Sequence, residues 1–349
     1  MTPSAPVRRA IALVAVVAAV TVLAGCVAAG RSTGTESIGT HRWRGAAMSP
    51  AGTSTVAGVP PVPVIAPPAP TPPTAPPYAV VSSVVVLTDA TRPTPARGDV
   101  AGHPGRVLRT LVVRPLGLAG PLPAVVFAHG YDSEPERYEI LLDAWAAAGF
   151  VVAAPESPGS AADLPGTPTE SDIGQQAGDL SFVLSSLLTG AAGVPVDPAR
   201  VVAAGHSDGG SSVVALAMDP AYADRRFVGY LALAGQIPDG VAGPWTASSP
   251  RPLVLMVGTD DEYGTLPLAV QAYDTCRCTK ALVTIAGGTH LGPFVGGTAL
   301  AGSVRQATVR YLDLLAGSAG SEATAVSDQQ LAAVLAPPAG SGDWQVVTG

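Results

Sequence analysis

In this 349-residue chain, the pattern G-H-S-D-G at 205–209 has the residue types and spacing best suited to chemistry. The pattern follows the apolar run 201–204 and precedes a stretch with helical spacing, which is typical of a tight turn from a strand into a helix. Glycines at both ends of such a turn leave room for close backbone approach, and the serine between them is held clear of the sheet. We therefore predict that Ser207 is a nucleophile.

A serine hydroxyl is a poor nucleophile near neutral pH, so Ser207 requires a general base and an acid that orients the base. The expected order along the chain is serine, acid, histidine. His290 is the only histidine after Ser207, and it follows the predicted strand 281–285. Because functional loops lie at the carboxyl ends of parallel strands, we predict that His290 is the general base.

Three acidic residues crowd the predicted turn at 258–262. Asp261 is favoured as the orienting acid because it comes third after the glycine that opens the turn, and Asp260 stays open as the alternative. An acid at this place would fix the tautomer of His290 and stabilise its imidazolium form. We expect the side chain of Glu262 to point towards solvent.

Acyl transfer at Ser207 also needs two backbone N–H groups that stabilise the oxyanion of the tetrahedral intermediate. Asp208 directly follows the nucleophile and should supply one of them. We predict that Tyr131 supplies the second, because it lies in the turn after the predicted strand 123–128. A carboxylate at Asp208 is unusual beside developing negative charge, although it suits the first turn of a helix.

The remaining sequence alternates buried strands with amphipathic helices. The predicted strands cover 79–88, 107–113, 123–128, 150–154, 201–204, 227–234, 253–257 and 281–285. The predicted helices cover 138–148, 175–188, 212–218, 266–275, 304–315 and 328–335. This order predicts an α/β fold, a three-layer sandwich around a mostly parallel sheet, with the first strands as antiparallel additions. Since only a short loop separates Ala234 from Arg251, no large cap domain is expected.

The first 26 residues have the pattern of a signal peptide. An arginine pair precedes the apolar run 10–22, and L-A-G-C at 23–26 resembles the lipobox of bacterial lipoproteins, whose cysteine receives a diacylglycerol. We therefore predict that Cys26 is lipidated and that it anchors an exported protein to the membrane outside the cytoplasm. An ordinary secretory signal and an uncleaved membrane anchor are the alternatives.

Three further regions follow the predicted signal peptide. Residues 27–77 are rich in proline and small residues, which favour extended backbone with few hydrogen bonds. We interpret them as a linker, either a semi-rigid stalk or a spacer without a positional role. The catalytic domain is expected at 78–317, and residues 318–349 are expected to form a C-terminal tail.

Composition excludes some partners and cofactors. The net charge is −7 and Lys280 is the only lysine, so we do not expect a nucleic-acid partner. Once Cys26 is lipidated, Cys276 and Cys278 remain, either as a disulfide or as two thiols. Two close cysteines cannot complete a zinc site, and no motif implies a metal or an organic cofactor. We expect a monomer.

With these residues in place, the chain from Tyr78 to Gly317 resembles the α/β-hydrolase superfamily of serine esterases. Its closest likeness is to the branch with platelet-activating-factor acetylhydrolase-like, chlorophyllase-like and polyester-hydrolase (cutinase-like) enzymes. That likeness rests on D-x-x-R-P at 89–93 with R-x-L at 106–108, on F-A-H-G-Y at 127–131, and on Q-x-x-D-L at 176–180. The resemblance implies that Tyr131 and Trp245 wall an acyl pocket, and we place His206 in the same pocket.

The resemblance further implies hydrolysis of a carboxylic ester, in which Ser207 is acylated, His290 relays the proton and water releases the acid. A small-molecule, lipid or polyester ester is the expected substrate. Two alternatives are a cell-envelope acyltransferase with the same three residues and a binding lipoprotein that keeps the fold without activity. Residues 156–171 are expected to be either a partial flap or an inert crossing loop.

Overall fold

The structure is a computed structural model, and it describes residues 77–238, 245, 251–317, 326–338 and 344–349. The predictions of a signal peptide, of lipidation at Cys26 and of a proline-rich linker up to residue 76 lie outside these described residues. In the described part, the chain alternates strands and helices as the sequence predicts.

Strands in the described part form one mixed sheet. They are β1 (Val80–Asp89), β2 (Arg106–Pro115), β3 (Leu122–Ala128), β4 (Val151–Pro155), β5 (Val196–His206), β6 (Phe227–Leu233), β7 (Leu253–Gly258), β8 (Lys280–Ile285) and β9 (Trp344–Thr348). Their order across the sheet is β1-β2-β4-β3-β5-β6-β7-β8-β9. The pairings from β4 through β8 are parallel, whereas β1, β2 and β9 join antiparallel. The predicted mostly parallel sheet with antiparallel first strands is confirmed.

Helices cover both faces of this sheet. They are α1 (Glu139–Ala147), α2 (Ile173–Leu188), α3 (Asp208–Met218), α4 (Thr265–Thr275), α5 (Ala299–Gly317) and α6 (Asp328–Leu335), with short 3-10 turns at Pro135–Tyr138 and Glu170–Asp172. Helices α2, α3 and α4 enclose one hydrophobic cluster, and α1, α5 and α6 enclose the other. Strand β7 is apolar throughout because its alternate side chains enter the two clusters. The predicted three-layer sandwich is confirmed.

The structure differs from the sequence-based bounds mainly at N-terminal ends. Helix α3 begins at Asp208 instead of 212, because Gly209 and Gly210 disfavour helix in isolation and hide its first turn. They are required by packing: a Cβ atom at Gly210 would lie 2.9 Å from the carbonyl oxygen of Leu233. Strand β5 likewise begins five residues early, at Val196.

The structure also differs from the predicted C-terminal tail, because its described residues belong to the sandwich. Strand β9 pairs with β8 from Ala281–Thr348 to Ile285–Trp344. The indole N–H of Trp344 is buried and donates to the carbonyl oxygen of Leu335 at 2.8 Å. The glycine- and proline-rich approach to this short strand conceals it in the sequence. The C-terminal strand therefore braces β8, which leads to His290.

A buried network of ion pairs joins the sequence motifs at 89–93, 106–108 and 176–180. Arg106 is fully buried on β2 and contacts Asp172 and Asp179, at 2.6 Å in each case. Arg92 extends the network to Asp89 and Asp179, at 2.7 Å in each case. The three short motifs at 89–93, 106–108 and 176–180 thus have a common structural role, which is to hold the start of α2 against β1 and β2.

The same network fixes the segment that follows β4. The backbone N–H of Gly159 donates to Asp172 at 3.0 Å, and Gln176 on α2 donates to Ser160 at 2.9 Å. Residues 156–161 are buried, whereas most of 162–170 is exposed. A flap over 156–171 is therefore contradicted for its first six residues, because their backbone and side chains are held inside the fold.

The sequence leaves open whether the two neighbouring cysteines form a disulfide or remain two thiols. Cys276 and Cys278 form a disulfide just after α4.

No group of three potential metal-ligating side chains occurs among the described residues. Within that same part of the chain, no helix has the length and apolar character needed to cross a bilayer.

Candidate active site

Ser207 occupies the turn between β5 and α3. Its φ of 56° and ψ of −121° are strained for a residue with a side chain. A Cβ atom at Gly205 would lie 2.3 Å from the carbonyl oxygen of Gly209, and one at Gly209 would lie 2.2 Å from that of Ala128. Only glycine therefore fits at either position, which is the physical reason for the G-x-S-x-G spacing.

Three side chains from three loops meet in a line of hydrogen bonds. His290 Nε2 lies 2.9 Å from Ser207 Oγ, and His290 Nδ1 lies 2.8 Å from Asp261 Oδ2. The other carboxylate oxygen of Asp261 accepts from the Tyr263 N–H at 3.0 Å and from the Thr265 hydroxyl at 3.2 Å. Burial by itself raises the pKa of Asp261, but these hydrogen bonds and the charge of His290 hold it below its ordinary value.

The structure brings Asp261, and not Asp260, to His290. Asp260 is exposed and accepts from the hydroxyl of Thr259 at 3.1 Å. Glu262 is exposed as expected, but its carboxylate also accepts the backbone N–H of His290 at 2.9 Å. Two neighbouring acids thus hold His290, one through its ring and one through its backbone.

His206 lies beneath the site, so its predicted place in the pocket wall is corrected. It is 1% exposed, and its Nε2 lies 2.9 Å from the carbonyl oxygen of His290. Its Nδ1 lies 2.9 Å from the hydroxyl of Tyr138, which accepts the N–H of Gly130 at 3.3 Å. Burial lowers the pKa of His206 to about 3, so the ring is neutral. We assign the proton to Nε2, because a carbonyl oxygen can only accept.

Through these contacts His206 joins the turn at Gly130 to the His290 loop. The sequence hides this structural role because the variable position in G-x-S-x-G carries no information about burial. The one available signal was a polar, aromatic residue in a motif flanked by apolar strand, which implies a buried side chain with hydrogen-bond partners.

Comparisons with known proteins agree with this architecture. A model of the Chlorophyllase family matches residues 99–270. A ferulic acid esterase from Streptomyces cinnamoneus has a similar structure, with a TM-score of 0.55 and 19% identity over 80% of this chain and 98% of that chain. The protein has the α/β-hydrolase fold. A search of the curated proteins finds no match.

The two predicted oxyanion donors, Tyr131 and Asp208, belong to turns that adjoin Ser207. The N–H groups of Tyr131 and Asp208 have no acceptor among the residues that the structure describes. The turn that carries Tyr131 is close to Ser207, since a Cβ atom at Gly130 would lie 3.0 Å from that of Ser207. This turn is fixed by the N–H of Asp132, which donates to the carbonyl oxygen of Ser160 at 2.9 Å.

Tyr131 and Trp245, the two side chains predicted to wall the acyl pocket, differ in their contacts. Tyr131 is 40% exposed, and its hydroxyl donates to the carbonyl oxygen of Pro168 at 3.2 Å. Trp245 is half-buried and packs against the hydrophobic cluster under α2, α3 and α4. Its neighbours 239–244 and 246–250 lie outside the described residues, so its place in a pocket stays a prediction.

Asp208 is the most unusual group of the site. One oxygen of its carboxylate is buried without a hydrogen-bond partner in the described structure. Burial, and then the negative charge of Glu170, raise its pKa to about 7, although the charge of His290 opposes this change. A carboxyl group that is partly neutral at neutral pH therefore stands directly after Ser207.

Proposed function

We propose that this protein hydrolyses carboxylic esters through an acyl-enzyme intermediate, with Ser207 as the nucleophile. The observation that carries the proposal is the unbroken line of hydrogen bonds from Ser207 through His290 to Asp261, at 2.9 and 2.8 Å. The match to the Chlorophyllase family and the structural likeness to a ferulic acid esterase support an ester hydrolase in general.

In the first half of the proposed reaction, Ser207 attacks the ester carbonyl while His290 takes its proton. Asp261 stabilises the imidazolium that forms, and the N–H groups of Tyr131 and Asp208 stabilise the oxyanion. His290 then returns the proton to the leaving alcohol. In the second half, His290 activates a water molecule that attacks the acyl group and releases the acid and Ser207.

The test compares the wild-type protein with Ser207→Ala and with a matched control, Ser185→Ala on α2. Acetate, butanoate and octanoate esters of p-nitrophenol serve as substrates, and a fluorophosphonate probe reports a reactive serine. We expect Ser207→Ala to lower kcat at least ~1,000-fold and to abolish labelling by the probe, because the nucleophile is gone. The control should behave as wild type. Equal rates for Ser207→Ala and wild type would show that the nucleophile is assigned wrongly.

A further inference from the structure

Tyr263 is the most exposed large apolar or aromatic side chain in the described structure, at 74%, yet it lies against the site. Its ring centroid is 4.7 Å from that of His290, with the ring planes at 57°. Its backbone N–H donates to a carboxylate oxygen of Asp261 at 3.0 Å, so the backbone from which the ring extends is held in place. An exposed aromatic ring in contact with His290 offers an apolar surface to a ligand that reaches Ser207.

The ring of His290 has one buried aromatic neighbour and one exposed one. His206, which is 1% exposed, packs against it edge-on at 4.8 Å. Tyr263 therefore lies on the solvent side of His290, where a substrate enters and a product leaves. His206 holds the histidine from inside, and Tyr263 adds an apolar surface outside.

The proposed reaction determines which half of an ester meets this surface. His290 must give its proton to the leaving oxygen, so that oxygen comes within hydrogen-bond distance of Nε2. The alcohol half of the ester is therefore beside His290, whose ring contacts that of Tyr263. Tyr131 lies in the other turn, which carries the proposed oxyanion donor.

We propose that Tyr263 is a specificity-determining residue that binds the alcohol half of the substrate, and that the favoured alcohols are uncharged and aromatic. This inference rests on the proposed ester hydrolysis. A flat ring gains most from an aromatic partner, either offset-stacked or edge-to-face. The exposed carboxylates of Asp260 and Glu262, three residues and one residue before Tyr263, disfavour alcohols that carry a negative charge.

Benzyl acetate and ethyl acetate separate the alcohol half from the acyl half, since they share an acyl group and have alcohols of similar acidity. Ethyl butanoate, compared with ethyl acetate, varies only the acyl half. The full chain is measured as wild type, as Tyr263→Ala and as Tyr263→Phe, which keeps the ring. We expect Tyr263→Ala to reduce the preference for benzyl over ethyl acetate ~2- to 10-fold, mainly through a higher KM, and to leave the acyl preference as in wild type. Tyr263→Phe should keep both preferences.

Two results would overturn the proposal. One is an unchanged benzyl preference in Tyr263→Ala, and the other is an equal loss on both acetates, which indicates only a disturbed Asp261. A wild-type protein that hydrolyses none of the esters and whose Ser207 is not labelled would overturn the proposed function as well. Binding of benzyl alcohol by Ser207→Ala, with and without Tyr263→Ala and followed by saturation-transfer NMR, tests the aromatic contact without turnover. Equal binding by both variants would count against it.

Discussion

Two sets of buried carboxylates in this α/β-hydrolase fold have different kinds of partner, an arginine or a histidine. Asp172 and Asp179 have side chains at most 1% exposed and face the guanidinium of Arg106. Asp261 is equally buried but faces the imidazole of His290. Arginine keeps its charge at every relevant pH, so its pairs can only hold elements together, whereas an imidazole can gain and lose a proton. The partner, and not the burial of the acid, separates a structural pair from one suited to proton transfer.

The largest effect is expected from breaking the pair with histidine. Asp261→Asn should lower kcat about 10,000-fold with little change in melting temperature, because the amide no longer fixes the tautomer that accepts the Ser207 proton. Asp260→Asn is the matched control, since it makes the same change one residue away and should leave kcat near the wild-type value. Steady-state kinetics with p-nitrophenyl acetate measure both. Equal losses in the two variants would remove the distinction between these acids.

Breaking the pairs with arginine should act on stability instead. Arg106→Leu leaves the buried carboxylate of Asp172 without its cation and that of Asp179 with Arg92 alone, and it should lower the free energy of unfolding by about 3–5 kcal/mol. Arg200→Leu is the control, because Arg200 forms a partly exposed pair with Asp197 at 2.7 Å and should cost only about 0–1 kcal/mol. Urea denaturation gives both values. A similar cost in the two variants would contradict the structural role of the Arg106 network.

Asp208 adds a third setting, a half-buried carboxylate that pairs with no arginine or lysine in the described part of the chain, and a smaller effect is expected from changing it. Because its folded pKa of about 7 exceeds the ordinary 3.8, folding favours the neutral form, and wild type loses stability as pH rises from about 4 to 7. The melting temperature of Asp208→Asn should therefore rise above that of wild type as the pH increases from about 4 to 7, and the difference should persist at higher pH. It should also hydrolyse esters faster at pH 8, where wild type carries a negative charge beside the oxyanion.

Glu156→Gln provides the comparison for Asp208→Asn. Burial, and then Asp163, raise the pKa of Glu156 to about 7 as well, but Glu156 does not adjoin Ser207. The melting temperature of Glu156→Gln should change with pH in the same way as that of Asp208→Asn, while its kcat stays at the wild-type value. If Glu156→Gln raised the rate at pH 8 as much as Asp208→Asn, the effect could not be assigned to charge at the oxyanion.

The sequence predicted the parts of the site that depend on local spacing. The glycines around Ser207 and the strands before 258–262 and His290 place three loops at one sheet edge, and the structure brings them together. The choice between Asp260 and Asp261 depends on which side chain turns inward; the spacing from Gly258 favoured Asp261 but left Asp260 open. The contact between Arg106 and Asp179 joins residues 73 positions apart, so only the packed fold reveals it.

Other features were hidden because their information is not local. His206 uses both ring nitrogens on groups from other loops, and a single pattern position cannot show this. Strand β9 is five residues long and becomes recognisable only when β8 is available to pair with it. The sequence thus predicted which residues meet at this sheet edge better than it predicted the contacts that hold them there.

The place of β9 also matters for anyone who handles this protein. Since Trp344–Thr348 close the open edge of β8, a carboxypeptidase that trims these residues would leave a row of unsatisfied N–H and C=O groups next to the strand that ends at the His290 loop. Such an edge recruits other chains and leads to aggregation. An affinity tag attached directly after β9 therefore needs a spacer, and a mass measurement that shows Trp344–Thr348 to be intact is a useful quality check before any rate is measured.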